Sequence, residues 1–149
     1  TLRHDGGHLL EGPRYSAEIL PDGREVSLIY FSTGDFPTKN YATRVAYSLE
    51  GPAGPYKAVV GSDQRAVNLT EIMHDKYYGV GRAFPFRYKN KSWIIFHAVK
   101  DIPGVDHTRW PEDLDILRCL YVSPIQITLD RGDEVKVKLE GEDYLTENL

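Results

Sequence analysis

The chain has a single cysteine, Cys119, among its 149 residues, which excludes an intrachain disulfide. Cys119 stands in an apolar run, and this context predicts a small buried side chain. No stretch approaches the roughly 18 consecutive apolar residues of a membrane-spanning helix, so no membrane segment is predicted. Positive charge is also scarce, because the formal net charge is −4. That balance argues against a nucleic-acid-binding surface, which needs a basic patch to contact phosphates.

Familiar catalytic signatures are missing as well. The sequence has no phosphate-binding glycine loop, no paired-cysteine metal motif and no Ser-His-Asp arrangement. Aromatic side chains, in contrast, are frequent, with 10 Tyr, 5 Phe and 2 Trp. Such rings stack on sugars and bases, but they are also ordinary strand residues. The composition therefore allows a sugar-binding surface without establishing one.

Helical patterns are weak, and strand patterns dominate the chain. One short helix is predicted over residues 70–78, where Thr70 would cap the N-terminus. Elsewhere, β-branched and aromatic residues occur in short runs separated by turn residues, which is typical of antiparallel strands. The predicted strands begin with one at Tyr15 and continue with residues 26–32, 41–48, 56–60, 83–88, 92–99, 115–122 and 134–139. Residues 126–129 either continue the strand before them or form part of a turn.

These strands form two similar units in tandem. Each unit consists of a loop, a strand, a tight turn, a strand, a long loop, a strand, a turn and a strand. The segment Ile29-Tyr30-Phe31 matches Ile95-Phe96-His97, and Arg44 matches Arg118. A repeated four-stranded antiparallel unit predicts an all-β fold made of two β-propeller blades. A β-sandwich is the structural alternative, because eight short strands also fit it.

Two blades cannot close a propeller ring, which usually has about four to eight. Three arrangements are compatible with two blades: further N-terminal blades outside this chain, sandwich packing of the two units, or a ring completed by a partner subunit. We favour further N-terminal blades. The predicted organisation is a blade at 8–61, a connector at 62–78, a blade at 79–139 and a tail at 140–149. Since the first residue is Thr1 and not Met, we expect a processed product or a piece of a longer chain.

The repeat brings chemically distinctive residues to one end of the predicted blades. In an antiparallel meander, the start of the first strand and the end of the second lie at the same end. Glu11 precedes the first strand of the first unit, and Asp35 follows its second strand. Arg82 precedes the first strand of the second unit, and a long loop over residues 100–114 follows its second strand. This end is therefore the predicted binding face.

Glu11 is the leading candidate at this face, because it stands directly before a Gly-Pro step. Gly12 allows a sharp backbone path and Pro13 fixes φ, so a stiff turn would hold the carboxylate at the mouth of a strand. The alternative is a loop glutamate that faces water. Phe36, beside Asp35, is a candidate for lining the same face. Trp110 would stack on a sugar ring or, equally, anchor its loop.

Several of these segments together resemble glycoside hydrolase family 43. They are Glu11-Gly12-Pro13, residues 28–32, 44–48, 54–56, 79–82 and 93–98, and Arg118 further on. The likeness spans about residues 8–139 and rests on the order and spacing of motifs that are individually loose. Members of that family are arabinofuranosidases, xylosidases and arabinanases with a five-bladed propeller. The resemblance implies the C-terminal portion of such a catalytic domain.

The resemblance also implies roles for particular residues in an inverting hydrolysis of arabinose- or xylose-containing plant polysaccharides. The Glu-Gly-Pro context makes Glu11 the general acid, whereas the family's general base and modulating aspartate belong to earlier blades. Arg118 corresponds to an arginine near the substrate, with a surface ion pair as its equal alternative. Arg82 stands where many members have a histidine that helps to hold a metal or water cluster. Because an arginine does not ligate a cation, we expect substrate binding by Arg82 and no cofactor, a central calcium ion being the alternative.

The expected partner is an oligo- or polysaccharide, with no nucleic acid and no membrane, and secretion is favoured over a cytoplasmic location. The missing base leaves a second class of function open, that of a non-catalytic carbohydrate-binding or interaction β-domain. An upstream segment with two further aspartates would support the enzyme. A start codon directly before Thr1 would support the binding domain.

Overall fold

A computed structural model of the chain describes residues 10–34, 41–60, 69, 77–100, 118–140 and 144–145. The strands are β1 (Glu11–Ile19), β2 (Glu25–Thr33), β3 (Ala42–Ser48), β4 (Lys57–Ala58), β5 (Tyr77–Tyr88), β6 (Lys91–Lys100), β7 (Arg118–Asp130), β8 (Glu134–Leu139) and β9 (Tyr144–Leu145). Strands β1 to β4 pair in chain order as a first antiparallel sheet, and β5 to β8 do the same in a second. The predicted all-β fold with two four-stranded meanders is therefore confirmed. Within the described ranges, no helix is long and apolar enough to cross a membrane.

Several strand boundaries differ from the sequence-based prediction, and one alternative that the sequence left open is decided. β1 begins at Glu11 and not at Tyr15, and β4 is confined to Lys57–Ala58. β5 begins at Tyr77, so the helix predicted over residues 70–78 is wrong at its end, and the rest of that prediction lies outside the described residues. Backbone pairing of Tyr77 and Tyr78 with β6 outweighs a weak local helix signal. β7 runs on through residues 126–129, as one of the two alternatives predicted. β9 adds a short strand that pairs with β7 inside the predicted tail.

The tight turns follow the local chemistry of their residues. The β5–β6 hairpin turns on Lys89 and Asn90, which have positive φ angles of 46° and 61°. Positive φ at both central residues matches the right-handed twist of the flanking strands, as a two-residue hairpin requires. The β1–β2 turn is closed by two backbone hydrogen bonds, from Leu20 to Arg24 and from Gly23 to Leu20. Both turns lie at the end of the sheets away from Glu11.

The core lies between the two sheets. Val26, Leu28 and Tyr30 alternate along β2 and are fully buried. From the second sheet, Ile94 and Phe96 alternate along β6 in the same way. Because successive strand residues point to opposite faces, each sheet commits one apolar face to this interface. Each such side chain contributes about 1.5–3 kcal/mol to stability by leaving water.

The outward faces of the two sheets are also apolar in part. On β1, Tyr15 is 50% exposed and Ile19 is 61% exposed. On the second sheet, Phe84 is 50% exposed and Leu120 is 40% exposed. An antiparallel sheet that is covered on one side usually presents polar residues on the other. Apolar residues on both outward faces are instead typical of sheets that pack against further layers.

A buried carboxylate connects the two sheets. The Glu18 side chain is only 7% exposed, and its Oε2 accepts a 2.7 Å hydrogen bond from the Ser92 hydroxyl. Arg87 Nη1 lies 3.7 Å from the same oxygen, although its side chain is 53% exposed. Burial, and then the charge of Glu18, raise the pKa of the Tyr30 phenol, so this core hydroxyl stays neutral. Glu18 is thus a structural group whose Oε2 is engaged inside the fold.

Replacing Glu18 with alanine is expected to lower the free energy of unfolding by about 1–3 kcal/mol, since the Ser92 hydroxyl loses its acceptor in a buried position. Glu18→Gln keeps an acceptor oxygen and should cost less. Urea unfolding of both variants measures the difference, with Glu25→Ala, an exposed glutamate on β2, as the control. Equal stabilities for Glu18→Ala and Glu25→Ala would show that the buried hydrogen bond contributes nothing.

Candidate functional site

Glu11 and Arg82 each lie at an irregularity in the strand that opens its sheet. Glu11 is the first residue of β1 and pairs with Ser32, and the register shifts between Glu11 and Arg14. Gly12 fits that shift with a φ of 55°. In β5 the register shifts again between Gly81 and Phe84, around Arg82. Irregularities of this kind redirect side chains and are common next to functional sites.

Ser32 brings the two irregularities together. The backbone N–H of Arg82 donates a 3.0 Å hydrogen bond to the Ser32 hydroxyl, and Ser32 is also the register partner of Glu11. A Cβ placed on Gly12 would lie 3.8 Å from Cγ of Arg82, so the stem of Arg82 runs beside the residue that follows Glu11. The predicted meeting of Glu11 and Arg82 at one end is therefore observed. The sequence predicted that Arg82 would precede the first strand of the second unit. Arg82 instead lies within β5, because this strand already begins at Tyr77.

Arg82 has a strained backbone and an exposed side chain. Its φ of 47° falls in the left-handed region, which a residue with a Cβ adopts at a cost of about 1–2 kcal/mol. The strain persists because surrounding contacts determine the backbone, including a 3.1 Å hydrogen bond from the Thr43 hydroxyl to the carbonyl of Val80. Strain of this kind gathers at binding and catalytic sites. The arrangement holds a guanidinium in solvent beside the Glu11 segment.

A tyrosine that sequence reasoning did not single out binds Glu11. Tyr41 directly precedes β3, is 2% exposed, and donates a 3.2 Å hydrogen bond from its hydroxyl to Oε2 of Glu11. Its ring stacks on His97, with centroids 6.2 Å apart and planes 8° from parallel. The ring also lies against Gly81, the register partner of His97, where an added Cβ would overlap the Tyr41 ring. Nothing local to residue 41 could have revealed contacts with residues so distant in sequence.

We expect Gly81→Ala to lower the free energy of unfolding by about 1–3 kcal/mol, because the added methyl group overlaps the Tyr41 ring. Gly81 does not have a positive φ, so alanine adds no backbone strain of its own. Urea unfolding of Gly81→Ala, Tyr41→Leu and the double variant measures the coupling. With the smaller leucine at position 41, Gly81→Ala should lower the free energy of unfolding by less than it does beside Tyr41. Additive losses would contradict the packing described.

The two other arginines of this end do not occupy equivalent positions. Arg44 pairs with Phe31 and donates a 3.2 Å hydrogen bond from Nε to the Thr33 hydroxyl. His97, which the repeat aligns with Phe31, pairs instead with Leu120. The alignment of Arg44 with Arg118 is therefore wrong, because Arg118 lies two residues before the true register equivalent. Arg118 is the first residue of β7 and lies at the same end of the sheets, but its side chain is outside the description.

The remaining predicted site residues, Asp35, Phe36 and Trp110, lie outside the described residues. The described side chains contain no group of three His, Cys, Asp or Glu that could hold a metal ion. Arg82, at the position where the family resemblance implies a metal- or water-holding histidine, offers no lone pair to a cation. Whether a cofactor binds stays a prediction.

Comparison with solved structures identifies the class of fold. An endo-1,5-α-L-arabinanase from Thermotoga petrophila has a TM-score of 0.55 and 22% identity, over 94% of this chain and 31% of that protein. The family 43 glycoside hydrolase YxiA from Bacillus licheniformis has a TM-score of 0.55 and 19% identity, over 94% of this chain and 33% of that one. An endo-1,4-β-xylanase from Bacteroides thetaiotaomicron has a TM-score of 0.50 and 21% identity, over 91% of this chain and 38% of its own length.

The chain thus has the fold of the family 43 β-propeller glycoside hydrolases, as the sequence motifs predicted. It spans about a third of the length of these similar structures, which fits a partial propeller. No protein-family model matches the sequence. No curated protein matches it either. The likeness therefore establishes the fold alone and does not establish the reaction or the substrate.

Proposed function

We propose that this chain carries the acid-bearing end of a glycoside hydrolase. The observation that supports the proposal most strongly is the convergence of Glu11 and Arg82, from two sheets, through their shared contact with Ser32. A half-buried carboxyl group and an exposed arginine at the same end of the two sheets are suited to a proton donor near a binder of sugar hydroxyls. The fold alone would not support this step, because one fold hosts many functions.

In this proposal Glu11 acts as the general acid. Its carboxyl proton moves to the glycosidic oxygen as the bond from that oxygen to the anomeric carbon breaks. A water molecule adds to the anomeric carbon and gives its proton to a second carboxylate. That chemistry needs two carboxyl groups about 6.5–9.5 Å apart if the reaction inverts the anomeric centre.

The second carboxylate is proposed to come from outside this chain. Glu18 is the next carboxylate along β1, but it is buried and accepts the Ser92 hydroxyl between the sheets. A group engaged in this way is not free to activate a water molecule. We assign the general base and a modulating aspartate to further blades, which would also cover the outward apolar residues Tyr15 and Phe84.

Arg82 is proposed to bind substrate hydroxyls through its exposed guanidinium. Arg118, at the start of β7 on the same end, is a second proposed contact, as are Asp35, Phe36 and Trp110. The proposed substrates are arabinose- or xylose-containing polysaccharides, since the similar structures include arabinanases and a xylanase. Arabinofuranosidase and xylosidase activities belong to the same proposal. No cofactor takes part, and a secreted protein is the natural setting for polysaccharide hydrolysis.

A carbohydrate-binding or interaction domain without catalysis is the second candidate. It is favoured by one observation, namely that Glu18, the next carboxylate along β1 after Glu11, is buried and engaged with Ser92 and is not free to act as a base. Under this alternative Glu11 and Arg82 would hold a sugar through hydrogen bonds alone. Binding would then be lost in variants of either residue, and no hydrolysis would be measured in any form of the protein.

The two candidates are separated by hydrolysis of p-nitrophenyl α-L-arabinofuranoside, p-nitrophenyl β-D-xyloside, arabinan and xylan. The assay compares this chain with a form that includes any upstream segment. We expect activity only in the longer form, because we assign the general base to a segment outside this chain. Activity in neither form, together with retained binding of arabino- or xylo-oligosaccharides, would establish the second candidate.

A further inference from the structure

Tyr41 is buried, polar and in contact with the proposed acid, yet the proposed mechanism gives it no task. Its hydroxyl donates to one particular oxygen of Glu11, Oε2, at 3.2 Å. A carboxyl group that donates its proton from one oxygen uses the other as an acceptor. A fixed donor at Oε2 therefore leaves Oε1 as the oxygen that carries the transferable proton.

The Tyr41 ring is held by the opposite sheet. It stacks on His97 of β6 and lies against Gly81 of β5, whereas Glu11 belongs to the first sheet. Tyr41 is 2% exposed, so its hydroxyl has little freedom to turn away. The orientation of the Glu11 carboxyl group thus depends on how the two sheets pack against each other.

We propose that Tyr41 is a positioning residue, held by its contacts with Gly81 and His97, which orients Glu11 through Oε2 so that Oε1 delivers the proton. This inference rests on the proposed function of Glu11 as a general acid. Tyr41 therefore affects the direction of proton donation.

The test compares Tyr41→Phe with Tyr47→Phe in the longest form of the protein. Tyr47 is a matched control on β3, since it is 6% exposed and its hydroxyl donates a 3.1 Å hydrogen bond to the carbonyl of Asp133 in the β7–β8 turn. Each variant loses one hydrogen bond of a buried tyrosine hydroxyl, and both should show a similar fall in the urea midpoint. Only Tyr41→Phe should lower kcat, by about 10-fold, because misplacing a reacting group is costly.

The Glu11 carboxyl resonance provides a readout that does not depend on catalysis. Proteins labelled with ¹³C at the glutamate carboxyl group are followed by NMR, and the Glu11 resonance is the one missing from Glu11→Gln. We expect the chemical shift of this resonance to change in Tyr41→Phe, because Oε2 loses its hydrogen-bond donor, and to stay constant in Tyr47→Phe.

An unchanged chemical shift of the Glu11 carboxyl in Tyr41→Phe would overturn the inference, whether or not the protein hydrolyses a glycoside. An equal loss of kcat in Tyr47→Phe would also overturn it, because the effect would then be one of general stability. A wild-type protein without activity would overturn the proposed function. In that case a changed chemical shift would still support the contact between Tyr41 and Glu11.

Discussion

Glu11→Gln is expected to reduce hydrolysis of arabino- or xylo-oligosaccharides by about 10²–10⁴-fold, the usual contribution of a positioned general acid. Glutamine has the same shape and can still accept the Tyr41 hydrogen bond, so the fold and sugar binding should be retained. The loss should therefore appear in kcat and not in the dissociation constant of an oligosaccharide. Steady-state kinetics and calorimetric titration of the same preparations measure the two quantities.

The control for this substitution is Glu25→Gln, which makes the same chemical change at an exposed position on β2. It should leave kcat unchanged. An equal loss of kcat and affinity in Glu11→Gln would assign the residue to binding alone. Full activity in Glu11→Gln would remove Glu11 from the mechanism.

Arg82→Gly is expected to lower kcat/KM without lowering the free energy of unfolding. Glycine adopts a positive φ without the roughly 1–2 kcal/mol cost that arginine bears, while it gives the unfolded chain more freedom. The free energy of unfolding should therefore stay the same or rise slightly. The guanidinium, in contrast, is lost, and hydrogen bonds from a charged group are worth about 1.5–3 kcal/mol. We expect kcat/KM to fall by about 10- to 100-fold, the range that this energy spans.

Lys89→Gly is the matched control for this experiment. Lys89 has nearly the same φ, 46°, but it lies in the β5–β6 turn at the other end of the sheet. This variant should relieve strain in the same way and leave kcat/KM unaltered. Urea unfolding and initial-rate kinetics on both variants give the comparison. If Arg82→Gly keeps full activity, the strained arginine has a structural origin and no part in substrate binding.

Much of the fold could be predicted because its determinants are local. Alternating apolar residues in Val26 to Tyr30, and in the equivalent strand of the second sheet, are read directly from the sequence. The turn residues that end each hairpin are equally visible. Glu11 stood out as a candidate for the same reason, because Gly12 and Pro13 sit beside it and mark an irregular strand.

The parts that were missed depend on contacts between distant residues. The left-handed backbone of Arg82 is supported by a hydrogen bond to Ser32, which no local pattern at residue 82 announces. The bond from Tyr41 to Glu11 joins residues that are 30 positions apart, and it requires both sheets to be assembled. The register that distinguishes Arg118 from Arg44 is likewise fixed by strand pairing and not by spacing along the chain.

The central claim is that Glu11 donates a proton to the leaving group, and leaving-group dependence tests it most directly. The measurement is the ratio of wild-type to Glu11→Gln kcat/KM on two glycosides of one sugar, a 2,4-dinitrophenyl glycoside and a methyl glycoside. A dinitrophenolate leaves without a proton, whereas an alkoxide does not. We expect this ratio to be below about 10 for the 2,4-dinitrophenyl glycoside and about 10²–10⁴ for the methyl glycoside. Equal ratios on both substrates would contradict the central claim.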